Sequence, residues 1–159
     1  EALLSWEQFL LLFKVNFSAA AEINRLLLPK MVQKKEGNII HICSIASKEA
    51  TGSVGYNTVK AALAAYVRSL GREMAHSGVV VTAILPGAFY APGNSWRRLE
   101  IKKPKVVKKF IEEKLPRNII AQADEMIPLI ALLAGKNASM MAGSCVPIDA
   151  GEGVAFSCA

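Results

Sequence analysis

The spacing of apolar residues divides the chain into a succession of helices and strands. Ser5-Trp6-Glu7-Gln8 has the form of a capping box, in which a serine and a glutamine side chain satisfy the free donors of a first helical turn. Apolar residues then recur at helical spacing as far as Met31, and the pattern stops between Gln33 and Gly37. The sequence therefore predicts one long amphipathic helix at this end.

The next segments alternate between strand-like and helix-like patterns. Residues 38–43 form a short apolar run after a glycine, which is typical of a buried strand. Residues 55–76 carry an apolar stripe at helical spacing, and Gly78 is a typical residue to end that helix. The β-branched run 79–85 predicts a second strand, which stops at Pro86-Gly87.

The last third of the chain has a weaker pattern. Residues 88–103 show no clear period, so we predict a loop over a ligand site, followed from Pro104 by a basic helix to about Lys114. A helix over residues 123–133 and a strand over 144–148 complete the order. This order predicts an α/β fold, with residues 1–159 forming a single domain whose parallel sheet is flanked by helices.

Composition supports a protein with an aliphatic core and no membrane span. Apolar residues make up 52% of the chain and aromatic residues 7%, a balance that suits helices on a parallel sheet. No apolar run reaches the roughly 18 residues that cross a bilayer, and no signal peptide is evident. The cysteines, Cys43, Cys145 and Cys158, have no metal-like spacing. We therefore predict reduced thiols, no metal and a cytoplasmic location.

The net charge of +6 is unevenly placed. Basic residues dominate the stretch between Arg97 and Lys114. A solvated helix face is the first interpretation, and a surface that attracts an anionic substrate or carrier is the second. Nucleic-acid binding is the least favoured, because few aromatic residues are interleaved for base stacking.

Tyr56 and Lys60 are the strongest candidates for chemistry. Residues four apart lie on one face of a helix, so both side chains can point into one cleft. We expect the ammonium to stabilise the phenolate and lower the pKa of the tyrosine, which would let it exchange a proton with a substrate. A surface tyrosine and lysine on an amphipathic helix are the alternative.

Ser44 and Asn16 are candidates with equally plain alternatives. Ser44 follows a buried strand, where its hydroxyl could hydrogen-bond a carbonyl and a developing oxyanion; otherwise it caps a turn. Asn16 is an amide on an apolar stripe. A buried amide needs partners, so Asn16 either satisfies irregular backbone or joins a polar network.

Five runs in order along the chain together match a known pattern: Val15-Asn16-Phe17, residues 37–44, residues 56–62, Leu85-Pro86-Gly87, and residues 143–151. On these runs the chain resembles the short-chain dehydrogenase/reductase family from its first helix to its C-terminus. The resemblance implies a partial Rossmann-like parallel sheet and an NAD(P)-dependent oxidoreductase that interconverts a carbonyl and a secondary alcohol by hydride transfer. The cofactor would be NAD or NADP.

The resemblance also implies roles for single residues. Tyr56 would give a proton in reduction and accept it in oxidation. Lys60 would lower the pKa of that tyrosine and hold the ribose hydroxyls of the nicotinamide half of the cofactor. Ser44 would orient the carbonyl, Asn16 would hold a water that links Lys60 to solvent, and Pro86-Gly87 would lie against the nicotinamide.

Some family features have no counterpart in the sequence. The family's glycine-rich turn, which binds pyrophosphate, and its asparagine-rich loop are missing, and the chain begins at Glu1. Ala91 stands where a threonine usually follows the Pro-Gly pair, although Ser95 could replace it. We interpret the chain as the catalytic C-terminal portion of a longer enzyme. The alternative is a non-catalytic fragment that folds and oligomerises without cofactor.

The expected partners follow from the same reasoning. The resemblance implies a small carbonyl compound or alcohol as substrate, from a surface-sugar pathway or linked to an acyl carrier, and the basic residues favour an anionic one. No nucleic acid and no membrane are expected as partners, and the family resemblance implies a homo-oligomer. The apolar strand 38–43 would lack a neighbour on one edge, so we expect another chain, a rearranged helix or a longer parent protein to cover it.

Overall fold

The computed structural model describes residues 4–155. The helices of this range are α1 (Trp6–Phe13), α2 (Ala19–Lys34), α3 (Val54–Met74), α4 (Ser95–Lys102), α5 (Pro104–Lys114) and α6 (Ile127–Ala134). Its strands are β1 (Gly37–Ile42), β2 (Val79–Pro86), β3 (Phe89–Tyr90), β4 (Ala121–Gln122) and β5 (Cys145–Ile148). None of these helices is both long and apolar enough to cross a lipid bilayer.

The main sheet is parallel and has the order β1-β2-β5. Its register pairs Ile42 with Ile84 and Pro86 with Ile148. With helices against it, this sheet confirms the predicted α/β class and its partial Rossmann-like character. The order also brings the carboxyl ends of the three strands to one edge, where ligand sites of such sheets form.

Both faces of β2 are covered. Val81 and Leu85 belong to a buried cluster that includes Leu63 of α3. The alternate residues Thr82 and Ile84 are also almost completely inaccessible, and alternate side chains of a strand point to opposite faces. A strand that is buried on both sides explains why its sequence is an almost continuous β-branched and aliphatic run.

The outer edge of β1 has no strand partner within residues 4–155. Ile42, the last residue of β1, is 47% exposed. An unpaired strand edge offers free backbone donors and acceptors to another segment. The expectation that another chain, a rearranged helix or a longer parent protein covers this edge therefore stays a prediction.

The first helix confirms its predicted start but not its continuity. The Ser5 hydroxyl accepts from the Gln8 N–H at 3.3 Å, and the Gln8 side chain accepts from the Ser5 N–H at 3.0 Å. The prediction of one regular helix is wrong at residues 14–18, which form a π-helical segment between α1 and α2. Within this segment the Asn16 amide donates to the Leu12 carbonyl at 3.0 Å.

The prediction of a loop over residues 88–103 is also wrong. Phe89 and Tyr90 form β3, which pairs with β4, and the segment continues into α4. The Asn94 side chain accepts from the Arg97 N–H at 3.0 Å and donates to the Phe89 carbonyl at 2.7 Å. A side-chain cap therefore starts α4. The prediction of a loop relied on the absence of an apolar period, which does not report on such a cap.

The other predicted elements are confirmed with small shifts at their ends. The helix from residue 55 begins at Val54, and the basic helix from Pro104 ends at Lys114 as expected. The helix over residues 123–133 begins as a 3₁₀ turn and becomes α6 only at Ile127. The last strand begins at Cys145, one residue later than predicted.

Candidate active site

Ser44 lies just beyond β1 and caps a short turn. Its backbone is extended, and its hydroxyl oxygen accepts from the Ala46 N–H at 3.1 Å. The Ser47 hydroxyl donates to the Ser44 carbonyl at 2.7 Å. The capping role is therefore present in the structure. Because the Ser44 oxygen acts as an acceptor in this bond, the bond does not use the hydroxyl proton, which can be donated to Tyr56 or to a ligand.

A second cap places Tyr56 in the first turn of α3. The Ser53 hydroxyl accepts from the Tyr56 N–H at 3.3 Å. The Asn57 side chain accepts from the Gly52 N–H at 2.9 Å and donates to the Glu49 carbonyl at 3.1 Å. These bonds fix the loop between Ser44 and α3, so the half-buried Tyr56 side chain is carried by a rigid helix start.

Lys60 lies one turn further along α3 and is buried. Its ammonium donates to the Ile42 carbonyl at 3.2 Å and lies 5.6 Å from the centre of the Tyr56 ring. The Cys43 thiol donates to the Lys60 carbonyl at 3.3 Å. Backbone and side chain of Lys60 are thus both tied to the end of β1, and the ammonium keeps further N–H donors for a ligand.

The electrostatics of the pair differ from the sequence-based prediction. Burial raises the pKa of Tyr56, and the nearby Ser44 hydroxyl only partly opposes this rise. Burial also lowers the pKa of Lys60. The prediction of a lowered tyrosine pKa is therefore wrong for this structure, because burial of the phenolate and the nearby Cys43 thiol raise the pKa by more than the Ser44 hydroxyl lowers it.

Asn16 makes its described contact with its own helix. Asn16 lies in the π-helical segment and its amide donates to the carbonyl of Leu12 in α1, which is the irregular-backbone alternative that the sequence left open. A π-helical turn leaves carbonyl groups without their regular partners. The implied role of Asn16 in holding a water for Lys60 stays a prediction.

A buried polar network near Lys60 was missed by the sequence analysis. The Asn24 amide lies 3.0 Å from His41 Nε2 and donates to the Tyr66 hydroxyl at 3.2 Å. Burial lowers the pKa of His41, and the charge of Lys60 lowers it further. Asn24 and His41 are polar residues among the apolar residues of a predicted helix and a predicted strand. Because buried polar groups need hydrogen-bond partners, these two residues were the signal from which the network could have been found.

Pro86 and Gly87 end β2 at the same edge of the sheet. Since Ile42 pairs with Ile84, Ser44 and Pro86 each lie two residues beyond that pair. The Gly87 N–H donates to the Ile148 carbonyl at 3.3 Å. A cavity of about 200 Å³ opens beside this corner, and Arg117 and Glu125 also line it. Ser44, Tyr56 and Lys60 do not line this cavity.

Ala91 and Ser95 follow this corner, in the stretch where the family usually has a threonine. Ala91 contributes its carbonyl as the acceptor for the Asn94 N–H at 3.2 Å. Ser95 is the first residue of α4 and is exposed. Neither contact places a side-chain hydroxyl at the Pro86-Gly87 corner, so a substitute role for Ser95 stays a prediction.

The chain matches a known family over almost its whole length. Residues 2–152 match the family model described as enoyl-(acyl carrier protein) reductase. A 3-oxoacyl-[acyl-carrier-protein] reductase from Aquifex aeolicus is 28% identical over 151 residues, which cover 94% of this chain and 57% of that protein. A 2-dehydro-3-deoxy-L-rhamnonate dehydrogenase (NAD(+)) from a Sphingomonas species is 23% identical over 147 residues, covering 92% and 57%.

Solved structures share the fold. A 3-oxoacyl (acyl-carrier-protein) reductase from Agrobacterium tumefaciens C58 with NADP bound has a TM-score of 0.84 at 24% identity, covering 94% of this chain and 57% of that one. The L-sorbose reductase from Gluconobacter frateurii, complexed with NADPH and L-sorbose, also gives 0.84 at 24% identity, covering 94% and 60%. This chain therefore spans little more than half the length of the proteins it matches.

Proposed function

The chain belongs to the enoyl-(acyl carrier protein) reductase family of short-chain dehydrogenases/reductases, and on this premise we propose that it carries the catalytic end of an NAD(P)-dependent oxidoreductase. The reaction would interconvert a carbonyl and a secondary alcohol. The observation that carries the proposal is the convergence of Ser44, Tyr56 and Lys60 at the end of β1. Three side chains that can donate hydrogen bonds or protons meet there in a half-buried setting.

Tyr56 is the proposed acid and base. Its raised pKa keeps the hydroxyl protonated at neutral pH, which is the form that reduction requires. As negative charge develops on the substrate oxygen, the Tyr56 hydroxyl gives it a proton and becomes a phenolate. The Lys60 ammonium, 5.6 Å from the ring centre, favours that product by Coulomb attraction. In oxidation the same phenolate accepts the proton of the alcohol.

Ser44 is the proposed orienting group. Its hydroxyl proton is not used by the bond in which its oxygen accepts from Ala46, so it can donate to the same carbonyl oxygen as Tyr56. Two preorganised donors stabilise an oxyanion better than mobile water does. The turn that Ser44 caps holds its hydroxyl in place before a substrate arrives.

The residues present fit the nicotinamide end of the cofactor. Lys60 has donors left for ribose hydroxyls, and Pro86-Gly87 stands at the same sheet edge, with the Glu152 and Asp149 side chains against Gly87. A bound reduced nicotinamide supplies the hydride. The 159 residues contain no glycine-rich turn for the pyrophosphate, so we propose that residues 1–159 form the catalytic portion and that a segment pairing with β1 completes the cofactor site.

Two substrate classes follow from the relatives. One is a 3-oxoacyl group on a carrier, by analogy with the Aquifex aeolicus reductase. The other is a sugar-derived ketone, by analogy with L-sorbose in the Gluconobacter frateurii structure. The basic face of α5 is partly neutralised by its own pairs, Lys108 with Glu112 and Lys109 with Glu113, so it does not by itself favour an anionic carrier.

The proposal is tested by cofactor binding and turnover together. Calorimetry with NADH and with NADPH measures binding, and absorbance of the reduced nicotinamide measures turnover of a 3-oxoacyl thioester and of a ketose. We expect saturable binding, turnover of one substrate class, and a loss of turnover of about a hundredfold or more in Tyr56→Phe. Binding should change little in that variant. Turnover unaffected by Tyr56→Phe would contradict the proposal.

A second candidate function is a fragment that folds and associates without binding cofactor. Large apolar side chains on the first helical segment are well exposed, among them Trp6 at 68%, Leu11 at 62% and Val15 at 64%. Together with the open edge of β1, they favour association with another copy or another chain. Absence of cofactor binding at millimolar concentration, with dimers in sedimentation equilibrium, would favour this candidate.

A further inference from the structure

The Ala88 N–H, a backbone donor at the Pro86-Gly87 corner, already has a hydrogen-bond acceptor within the chain. The Ala88 N–H, just beyond β2, donates to a carboxylate oxygen of Glu152 at 2.5 Å. The acceptor is a carboxylate, and hydrogen bonds to a charged acceptor are stronger than those between neutral groups. A side chain on Gly87 would collide with the same carboxylate, so the glycine is what lets Glu152 reach Ala88.

Glu152 belongs to a segment, residues 149–155, that other carboxylates hold down; we call it the C-terminal strap. The Asp149 side chain accepts from the Gly153 N–H at 3.0 Å. The Glu49 carboxylate, in the loop before α3, accepts from the N–H groups of Val154 and Ala155, each at 3.2 Å. The strap is thus fastened to the loop that follows Ser44 and, through Glu152, to the end of β2.

The surroundings of Glu152 disfavour the charged form of its carboxyl group. Burial raises its pKa, the charges of Asp149 and Glu49 raise it further, and the bond from Ala88 opposes the rise. Lys48 lines a recess with Glu49, Asp149 and Gly153, and Arg117 lines the cavity beside Ala88 and Asp149. Within residues 4–155 no group of three histidine, cysteine, aspartate or glutamate side chains is arranged to hold a metal ion.

We propose that Glu152 is an internal competitor for the Ala88 N–H, and that a ligand lying against Pro86-Gly87 displaces it. The inference deepens the proposed function, since that function supplies the identity of the ligand. Two acceptors that share one N–H group each bend the bond away from the linear geometry that it prefers, so they compete for the donor. An oxygen acceptor of the nicotinamide half of the cofactor can use the Ala88 donor only when the carboxylate leaves, so binding and release of the C-terminal strap are coupled.

The competition depends on pH in a defined direction. A protonated carboxyl group is a weaker acceptor than a carboxylate. As the pH falls through the raised pKa of Glu152, the hold on Ala88 weakens and the donor becomes available. The affinity for the ligand therefore rises on acidification, unless an anionic group of the ligand is itself protonated in the same range.

The test uses nicotinamide mononucleotide as the probe, because it does not need the adenine side of a site. Its binding to the full 159-residue chain is measured by calorimetry, and the Ala88 amide is followed by ¹⁵N–¹H NMR. Glu152→Ala should shift the Ala88 amide proton upfield without ligand and tighten binding about tenfold, the scale of one charged hydrogen bond. Glu152→Gln keeps an oxygen acceptor and should abolish the pH dependence.

Exposed Glu73 on α3 provides the control, and Glu73→Gln should change neither the Ala88 amide nor the binding. An Ala88 amide shift that is the same in the wild type and Glu152→Ala would overturn the inference whether or not any cofactor binds. Equal affinities of these two proteins, or no binding to Glu152→Ala at millimolar probe, would overturn it as well. The proposed function fails by a different result, namely turnover that survives Tyr56→Phe.

Discussion

The region around β1, β2 and α3 and the region from Ala88 to Gln122 are built in different ways. The first is a sheet covered by a helix, with buried residues drawn from distant parts of the sequence. The second has its own small core, with Val107, Leu115 and Ile120 at its centre. The first region carries Ser44, Tyr56 and Lys60, whereas the second lies beyond the Pro86-Gly87 corner. The comparison suggests a rigid platform for chemistry beside a smaller unit that can adapt to a substrate.

Matched leucine substitutions should give the largest difference between the two regions. Leu63 in the first core and Leu115 in the second are both buried, at 3% and 7% exposure. Leu63→Ala should lower the free energy of unfolding by about 3 kcal/mol, within the range for core leucines. Leu115→Ala should cost less, because it borders an existing cavity and the second core is smaller. Urea denaturation measures both values.

Amide hydrogen exchange shows which helices and strands each leucine substitution destabilises. Leu63→Ala should accelerate exchange across β1, β2 and α3, whereas Leu115→Ala should accelerate it mainly in α4 and α5. Uniform acceleration of the whole chain by Leu115→Ala would show that the two regions unfold as one unit, which would contradict a difference in local stability between them.

The polar contacts of Tyr90 should give the next largest effect. Tyr90 donates to Glu100 at 2.7 Å, and Arg97 lies 3.8 Å from the centre of its ring. Burial and the Glu100 carboxylate raise the pKa of Tyr90 to about 12, so the phenol stays a donor over the working range. Tyr90→Phe should cost about 1 kcal/mol, the usual net value of one such bond. Thermal unfolding compared with Leu115→Ala checks the order of the two effects.

The first region could be predicted from the sequence because its signals are periodic or local. The apolar period of α3 places Tyr56 and Lys60 on one face, and the end of an apolar strand places Ser44. The direction of the Tyr56 pKa shift could not be predicted, because it depends on how far the folded chain buries the side chain.

The second region and the details of the first helix escaped prediction for a physical reason. The start of α4 depends on bonds from Asn94 rather than on an apolar period. The π-helical segment at Asn16 depends on one side-chain bond within an otherwise regular pattern. Glu152 lies beyond the last recognisable run, and its contact with Ala88 joins residues 64 apart in sequence. A pattern in one chain does not reveal such contacts.

Glu152 gives a smaller, pH-dependent prediction at the junction of the two regions. Its pKa is raised in the folded state, so the stabilisation linked to its proton is complete below the unfolded-state pKa and is lost as the pH rises through the folded-state pKa. Glu152→Gln should therefore raise the melting temperature at neutral pH, with a difference that vanishes in acid. Glu73→Gln serves as the control. A melting temperature of the wild type that rises relative to that of Glu152→Gln with increasing pH would contradict the raised pKa of Glu152.

The charged face of α5 should give the smallest effect. The pairs of Lys108 and Lys109 with Glu112 and Glu113 span 3.7 to 3.8 Å and are well exposed, and such pairs contribute little. Lys108→Gln should leave both the melting temperature and the KM for an acyl-carrier substrate almost unchanged. A KM that rises strongly, and does so less at high salt, would instead favour an anionic carrier bound at this face.

The central claim is that the proton transfer belongs to the first region, and a matched pair of tyrosine substitutions tests it most directly. Turnover with NADH and NADPH is measured for the wild type, Tyr56→Phe and Tyr90→Phe, each of which loses one phenol hydroxyl. We predict a loss of about a hundredfold or more for Tyr56→Phe and a change within about threefold for Tyr90→Phe. Equal losses of turnover in the two variants, or a larger loss in Tyr90→Phe, would contradict the claim.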